Sequence, residues 1–143
     1  MKKLSDLKDD TGNAVMEGVI MVSALLVLLG LLIVGIRFSI TQNAVQQAAN
    51  AAAREGSIAR TVGEANSKAY NGAMHSLRQS DALCRTPRTS VDTSQYRAPL
   101  GQTGKVSVTV ACTVPLSGLM PGLPNSTTVT KTASSPVDPY RQR

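Results

Sequence analysis

Nineteen consecutive residues, Gly18 to Ile36, carry no charge and read GVIMVSALLVLLGLLIVGI. At about 1.5 Å per residue an α-helix of that length spans roughly 28 Å, close to the ~30 Å hydrocarbon core of a bilayer. A helix that is apolar all round must be covered either by a large protein core or by lipid. The other parts of this 143-residue chain are mostly Ala, Ser, Thr and Gly, and they hold too little apolar surface to cover it. The segment therefore reads as one membrane-spanning helix, and no later stretch approaches its length.

A cleaved secretory signal is the nearest competitor, since it too would follow Lys2 and Lys3. Its apolar core would be shorter and would end in a small-x-small site. Here the run passes through Ile36, Arg37 and Phe38 with no such site behind it, and Ala49-Asn50-Ala51 lies too far downstream. The helix is expected to stay attached. Lys2, Lys3 and Lys8 in the segment MKKLSDLKDDTG favour a cytoplasmic N-terminus, against a weaker opposing vote from Arg37 and Arg54. The reading is a single-pass membrane protein, with lipid as its first partner and its C-terminal part outside the cytoplasm.

Composition narrows the functions this exported part can have. One His and nine Asp plus Glu in the whole chain leave few groups for acid–base pairs or multi-ligand metal sites. His75 has no second ligand at metal spacing, and the sequence shows no phosphate loop, nucleophile elbow or metal-helix motif. The expectation is no catalytic residue, no metal, no cofactor and no small-molecule substrate. The charge of +6 is scattered, and aromatic residues make up 3%, too few to stack bases beside the basic groups, so no nucleic-acid partner is expected.

Glu17 stands at the edge of the apolar block, with Ala14, Val15 and Met16 extending the run on its N-terminal side. A carboxylate at membrane depth is costly and normally needs a partner. A plain helix-start charge, favoured by the macrodipole and headgroups, is the competing explanation. A cut after Gly12 would leave Glu17 fifth in the mature chain.

These residues resemble the prepilin class, with a short charged leader ending in Gly, a Glu five residues on and an uninterrupted apolar helix. Residues 11–56, TGNAVMEGVIMVSALLVLLGLLIVGIRFSITQNAVQQAANAAAREG, look specifically like the TadE-like family of tight-adherence pilus proteins. The Ala-rich continuation of that family is similar to Val45–Gly56 here. Many members carry an aromatic residue directly after the Glu, where this chain has Gly18. The resemblance implies that a prepilin-type aspartyl peptidase cuts the Gly12–Asn13 bond. It also implies a non-enzymatic minor pseudopilin whose partners are other pilus subunits and an inner-membrane assembly platform, with a place at the cell-surface pilus. The expected function is pilus assembly and surface adhesion. The alternative is a permanently anchored envelope protein that keeps its leader and binds a partner through an extracytoplasmic module.

The chemistry of an assembly fits independently. Cleavage exposes an α-amine on Asn13, and the Glu17 of a neighbouring subunit could neutralise it in a low-dielectric helix bundle, fixing axial register. Ala14 and Gly18, four apart, form a small-xxx-small face for close helix approach. Gly30 and Gly35 do not repeat that spacing and are assigned to local bending or lipid-side packing.

Beyond the span, residues 37–57 suit a helix that Gly56 can end, with Ala44, Ala48, Ala51 or Ala52, and Glu55 along one narrow face. That face suits packing in an assembly or against a light β-layer, with a solvated stalk as the plainer alternative. Ile58–Leu83 reads as a second helix or a bent extension, with Ala65, Ala69, Ala73 and Leu77 recurring at four and Tyr70 and Met74 beside them. From Cys84 the texture changes. Lys105–Val114 alternates cleanly, and weaker strands are read at Arg88–Asp92 and Thr127–Ser134, with an irregular tail from Ser135.

The expected fold is α+β and pilin-like, a long transmembrane helix continuing into an exported helical segment and then a small antiparallel sheet with one disulfide. The expected divisions are a leader at 1–12, a TadE-like region at 13–56 with its span at about 18–36, a second helical segment at 57–83, a β-module at 84–135 and a tail at 136–143. Cys84 and Cys112 are the two cysteines, and both fall in the exported part. Free cytosolic thiols or a two-Cys metal site compete, but two ligands do not close a zinc site, and an oxidising compartment favours the disulfide.

Overall fold

The computed structural model describes the backbone of residues 6–80, 82–96, 99, 102–116 and 125–138, and the side chains of those from residue 15 onward. The elements run α1 (Asp6–Ser57), α2 (Val62–Gln79), β1 (Thr86–Asp92), β2 (Lys105–Pro115) and β3 (Ser126–Pro136). The chain divides into two compact units, Met1–Ile36 and Arg37–Arg143.

The described part of the first unit is helix. Its large apolar side chains from Val15 to Ile36 are exposed except Val34, which is half-buried. The helix runs unbroken past Gly30 and Gly35. Ser23 donates to the carbonyl of Val19 at 2.8 Å, a local bond that satisfies its hydroxyl without a partner helix.

The second unit is a two-layer α+β arrangement. Its sheet has the order β1-β2-β3, antiparallel throughout. The alternation along β2 puts Val106, Val108, Val110, Cys112 and Val114 on one face, and all five are buried. Val129 and Ala133 of β3 join them. The opposing layer is supplied by the last part of α1 and by α2, whose buried residues are Ala65, Ala69, Ala73 and Leu77, as their spacing predicts.

On α1 the buried line is Thr41, Ala44, Val45, Ala48, Ala49, Ala52 and Ala53. The narrow Ala face is thus consumed inside the unit, against α2 and the sheet, while Ala51 is half-buried and Glu55 exposed. Small side chains permit this close packing. A Cβ built on Gly56 would lie 3.2 Å from Val106 Cγ1, and one on Gly72 would lie 3.1 Å from Glu55 Cγ.

The helical region from Ile58 does not extend unbroken to Leu83. The chain turns through residues 58–61, and α2 begins only at Val62. Thr61 is the N-cap: its hydroxyl accepts from Glu64 N–H at 3.2 Å, while Arg60 N–H donates to Glu64 Oε2 at 2.9 Å. Two helix-end donors are satisfied this way, and that sets the boundary. At the other end β3 continues through Ser135 to Pro136, beyond the expected start of an irregular tail. Val137 follows it into the core, donating its N–H to Gly104 O at 2.8 Å. Tail residues 139–143 lie outside the described residues.

Candidate membrane-anchoring and assembly segment

Among the described residues one helix is long and apolar enough to cross a membrane, and none of its best window is buried. Val15 and Met16, ahead of the charge-free block, are exposed as well. Leu25, Leu26, Val27 and Leu28, all exposed, point around the whole circumference, since successive helical residues are set about 100° apart. Such a surface has no stable state in water and calls for lipid or apolar neighbours.

The predicted site residues fall at the N-terminal end of this run. Gly12, Asn13 and Ala14 have their backbone within α1, and their side chains lie outside the described residues. Glu17 is exposed, and it makes no hydrogen bond or ion pair with any described residue. A Cβ placed on Gly18 would meet nothing within 4 Å, so this position is open to a neighbour of any kind. Glu17 and Gly18 thus lie within two turns of the backbone of Asn13 and Ala14, and both are open on the outer side as far as the described residues go.

Cys84 and Cys112 form a disulfide, with Cα atoms 5.4 Å apart. Cys112 is fully buried at the centre of β2, and Cys84 lies in the segment that enters β1. Arg85 N–H donates to Thr113 O at 3.0 Å immediately beside the bridge, so the crosslink extends the β1–β2 pairing by one more contact. His75 is exposed on α2, and among the described residues no three His, Cys, Asp or Glu side chains converge to hold a metal.

Two carboxylates outside the span are shifted. The Arg60 N–H, and after it the Lys68 ammonium at 3.0 Å, hold Glu64 below its ordinary value of 4.5. The Ser94 N–H at 2.9 Å does the same for Asp92, assisted by its hydroxyl and by the charge of Lys105. Both are exposed hydrogen-bonding arrangements at element ends, of a kind that serves structure.

Sequence reasoning missed three contributors to this frame. The Thr61-Val62-Gly63-Glu64 pattern is a helix-start signature and was available in the sequence. Tyr96, buried and bonded to the Ala59 carbonyl, and Ser57, whose hydroxyl accepts from Ser135 Oγ at 3.0 Å, carry no local signal, because their partners are far along the chain. No family model, curated protein or solved structure matches this chain.

Proposed function

We propose that this chain is a non-enzymatic, pilin-like minor subunit of a bacterial tight-adherence pilus or a related secretion apparatus, acting in assembly and surface adhesion. The observation that carries the reading is the apolar belt Val15–Ile36, exposed on every side, with the unpartnered Glu17 at its edge. In this reading the belt is covered by lipid before assembly and by neighbouring subunit helices after it. Glu17 then neutralises a partner's α-amine at Asn13, an interaction that strengthens as the local dielectric falls. The disulfide suits a C-terminal module displayed in an oxidising compartment.

A permanently anchored envelope protein is the second reading, and one observation favours it. The Gly12–Asn13 bond lies inside α1, so its amide groups belong to a helical hydrogen-bond pattern. A peptidase must unwind that turn to reach the bond. Gly12 eases both steps, since it weakens the helix and lets a peptidase backbone approach closely.

The N-terminus of the protein purified from its own cells decides between the two. Recovery of Asn13 as the first residue supports the pilin-like reading, and a bulky substitution of Gly12 then leaves precursor in the membrane. An N-terminus upstream of Gly12 in mature, assembled material overturns it and leaves the anchored envelope protein.

A further inference from the structure

With Val106 and its partners turned inward, the opposite face of the sheet carries mainly hydroxyl side chains with a few charged ones among them. Cross-strand register places Thr86, Thr113 and Thr128 in one row and Arg88, Ala111 and Thr130 in the next. In the third row Thr109 and Thr132 are joined hydroxyl to hydroxyl at 2.9 Å. Because Ala111 is the smallest side chain in the middle strand, the face dips there. An open groove of about 550 Å³ results, lined by Arg85 to Arg88 of the first strand and its approach, Pro87 included, and by Ala111, Thr113 and Thr128. Neither guanidinium has a hydrogen-bond or ion-pair partner among the described residues.

We propose that this face binds an acidic polysaccharide, with a sugar carboxylate seated between Arg85 and Arg88 and the sugar hydroxyls bonded along the threonine rows. The inference does not depend on the pilus reading; it requires only that the face be open to its surroundings. Two planar guanidiniums in one groove match carboxylate geometry, and charge-assisted bonds of that type are the strong ones. Hydroxyl groups repeating at about 4.8 Å across the strands and about 6.8 Å along them suit a polymer that itself repeats hydroxyls. The balance of charge agrees: the chain carries +6 overall, and Asp92, the carboxylate on this face, is already engaged with Ser94 at the far end. A nucleic acid fits less well, because no aromatic side chain stands on these rows to stack a base. A lipid surface fits less well too, since the rows hold no large apolar side chain to enter the headgroup boundary.

The test uses the full chain in nanodiscs of zwitterionic phospholipid, titrated calorimetrically with oligogalacturonate, maltodextrin and oligothymidylate. In parallel, binding to phosphatidylglycerol vesicles is measured. Oligogalacturonate is expected to bind and maltodextrin to fail. Arg88→Gln and Arg85→Gln are each expected to weaken binding by about tenfold or more, the size of a lost charge-assisted bond. Arg60→Gln, which removes the same charge from an exposed position near α2, is expected to leave affinity within about twofold, because salt screens distant charges. Circular dichroism and an intact Cys84–Cys112 bridge establish that each variant is folded. Absence of oligogalacturonate binding overturns the proposal. So does equal binding of maltodextrin or oligothymidylate, an equal loss in Arg60→Gln, or Arg88-dependent binding confined to the anionic vesicles.

Discussion

Tyr96 donates its phenolic hydrogen bond to the main-chain carbonyl of Ala59, a residue 37 positions earlier. The contact joins the connector that follows β1 to the turn between α1 and α2, and both residues are buried. A tyrosine hydroxyl inside a core of Ala and Val must find an acceptor, and here it finds one at the point where two helices change direction. The bond therefore ties the helical layer to the sheet layer at one end of the unit.

Removing that hydroxyl is expected to cost about 1–2 kcal/mol, the usual penalty for breaking a buried hydrogen bond. Tyr96→Phe should lower the urea midpoint of the disulfide-intact protein in mild detergent, with no change in helix content of the folded state. Tyr70→Phe is the comparison. Tyr70 is 53% exposed on α2, and its loss should stay within about 0.5 kcal/mol. Equal midpoints for the two variants would show that the Tyr96 hydroxyl contributes nothing.

The close approach of α1 to the sheet makes a second, opposite-signed pair. Gly56 faces Val106 Cγ1 and Ala69 Cβ, and Val106 is fully buried and β-branched, with little freedom to move aside. Gly56→Val is expected to destabilise by about 1–3 kcal/mol through overpacking. Gly63 lies in the first turn of α2, and a Cβ placed there would meet nothing within 4 Å. Gly63→Ala should therefore add up to about 1 kcal/mol from helix propensity alone. Thermal unfolding midpoints moving in opposite directions are the result to look for.

The elements that the sequence made legible are those whose partners are periodic. Ala65, Ala69, Ala73 and Leu77 announce a buried helical line through their spacing, and Val106 to Val114 announce a buried strand face through alternation. Neither pattern needs to know what lies opposite. The break at residues 58–61 was obscured by the good helix formers on both sides, although Thr61 and Glu64 signal it. Tyr96, Ser57 and the run of β3 to Pro136 depend on contacts made across 37, 78 and about 30 residues, and no local pattern encodes these. Glu17 is a different case. Its position is evident in the sequence, but no described residue partners it, so the fold of one chain leaves its environment open.

The disulfide is expected to be a principal support of a unit with few bulky side chains. On the chain-entropy model, closing the loop across a separation of 28 residues contributes roughly 3.5 kcal/mol. Alkylation of protein taken from its own cells without reductant should leave Cys84 and Cys112 unmodified. Replacing either with Ser should lower the unfolding midpoint by more than Tyr96→Phe does. Two labelled thiols in native material would remove the bridge from the account.

Acid should weaken the hydrogen bonds at the start of α2. Glu64 has its folded-state pKa depressed, so its contribution is present above the ordinary value near 4.5 and is lost as pH falls through the lower folded value. The Arg60 N–H is the largest single cause, and the Lys68 ammonium adds both a hydrogen bond and its charge. An NMR titration of the Glu64 side chain should therefore give an inflection below 4.5, and Lys68→Met should move it upward without restoring the ordinary value. Full restoration in Lys68→Met would assign the shift to the ion pair and contradict the helix-start bond.

Glu17 offers the sharpest separation of assembly from folding. It lies in the first compact unit, whereas the disulfide, the sheet and the buried alanines belong to the second. Glu17 has no partner among the described residues, and in the pilin-like reading its carboxylate meets a cationic group on another subunit, with headgroup water as the alternative. Glu17→Gln keeps a polar group of the same size at the same depth. Headgroup hydration would accommodate the amide with little change. A paired carboxylate would lose a charge-assisted contact, and in a low-dielectric bundle that loss is larger than at a wet surface. The expected outcome is a variant that inserts, forms its disulfide and unfolds at the wild-type midpoint, yet recovers fewer pilus subunits on co-purification and adheres poorly to surfaces. The comparison must be made at matched protein levels, because unassembled subunits are degraded. Wild-type recovery of partners from the Gln variant would reduce Glu17 to an ordinary helix-start charge, favoured by the helix dipole and the headgroups.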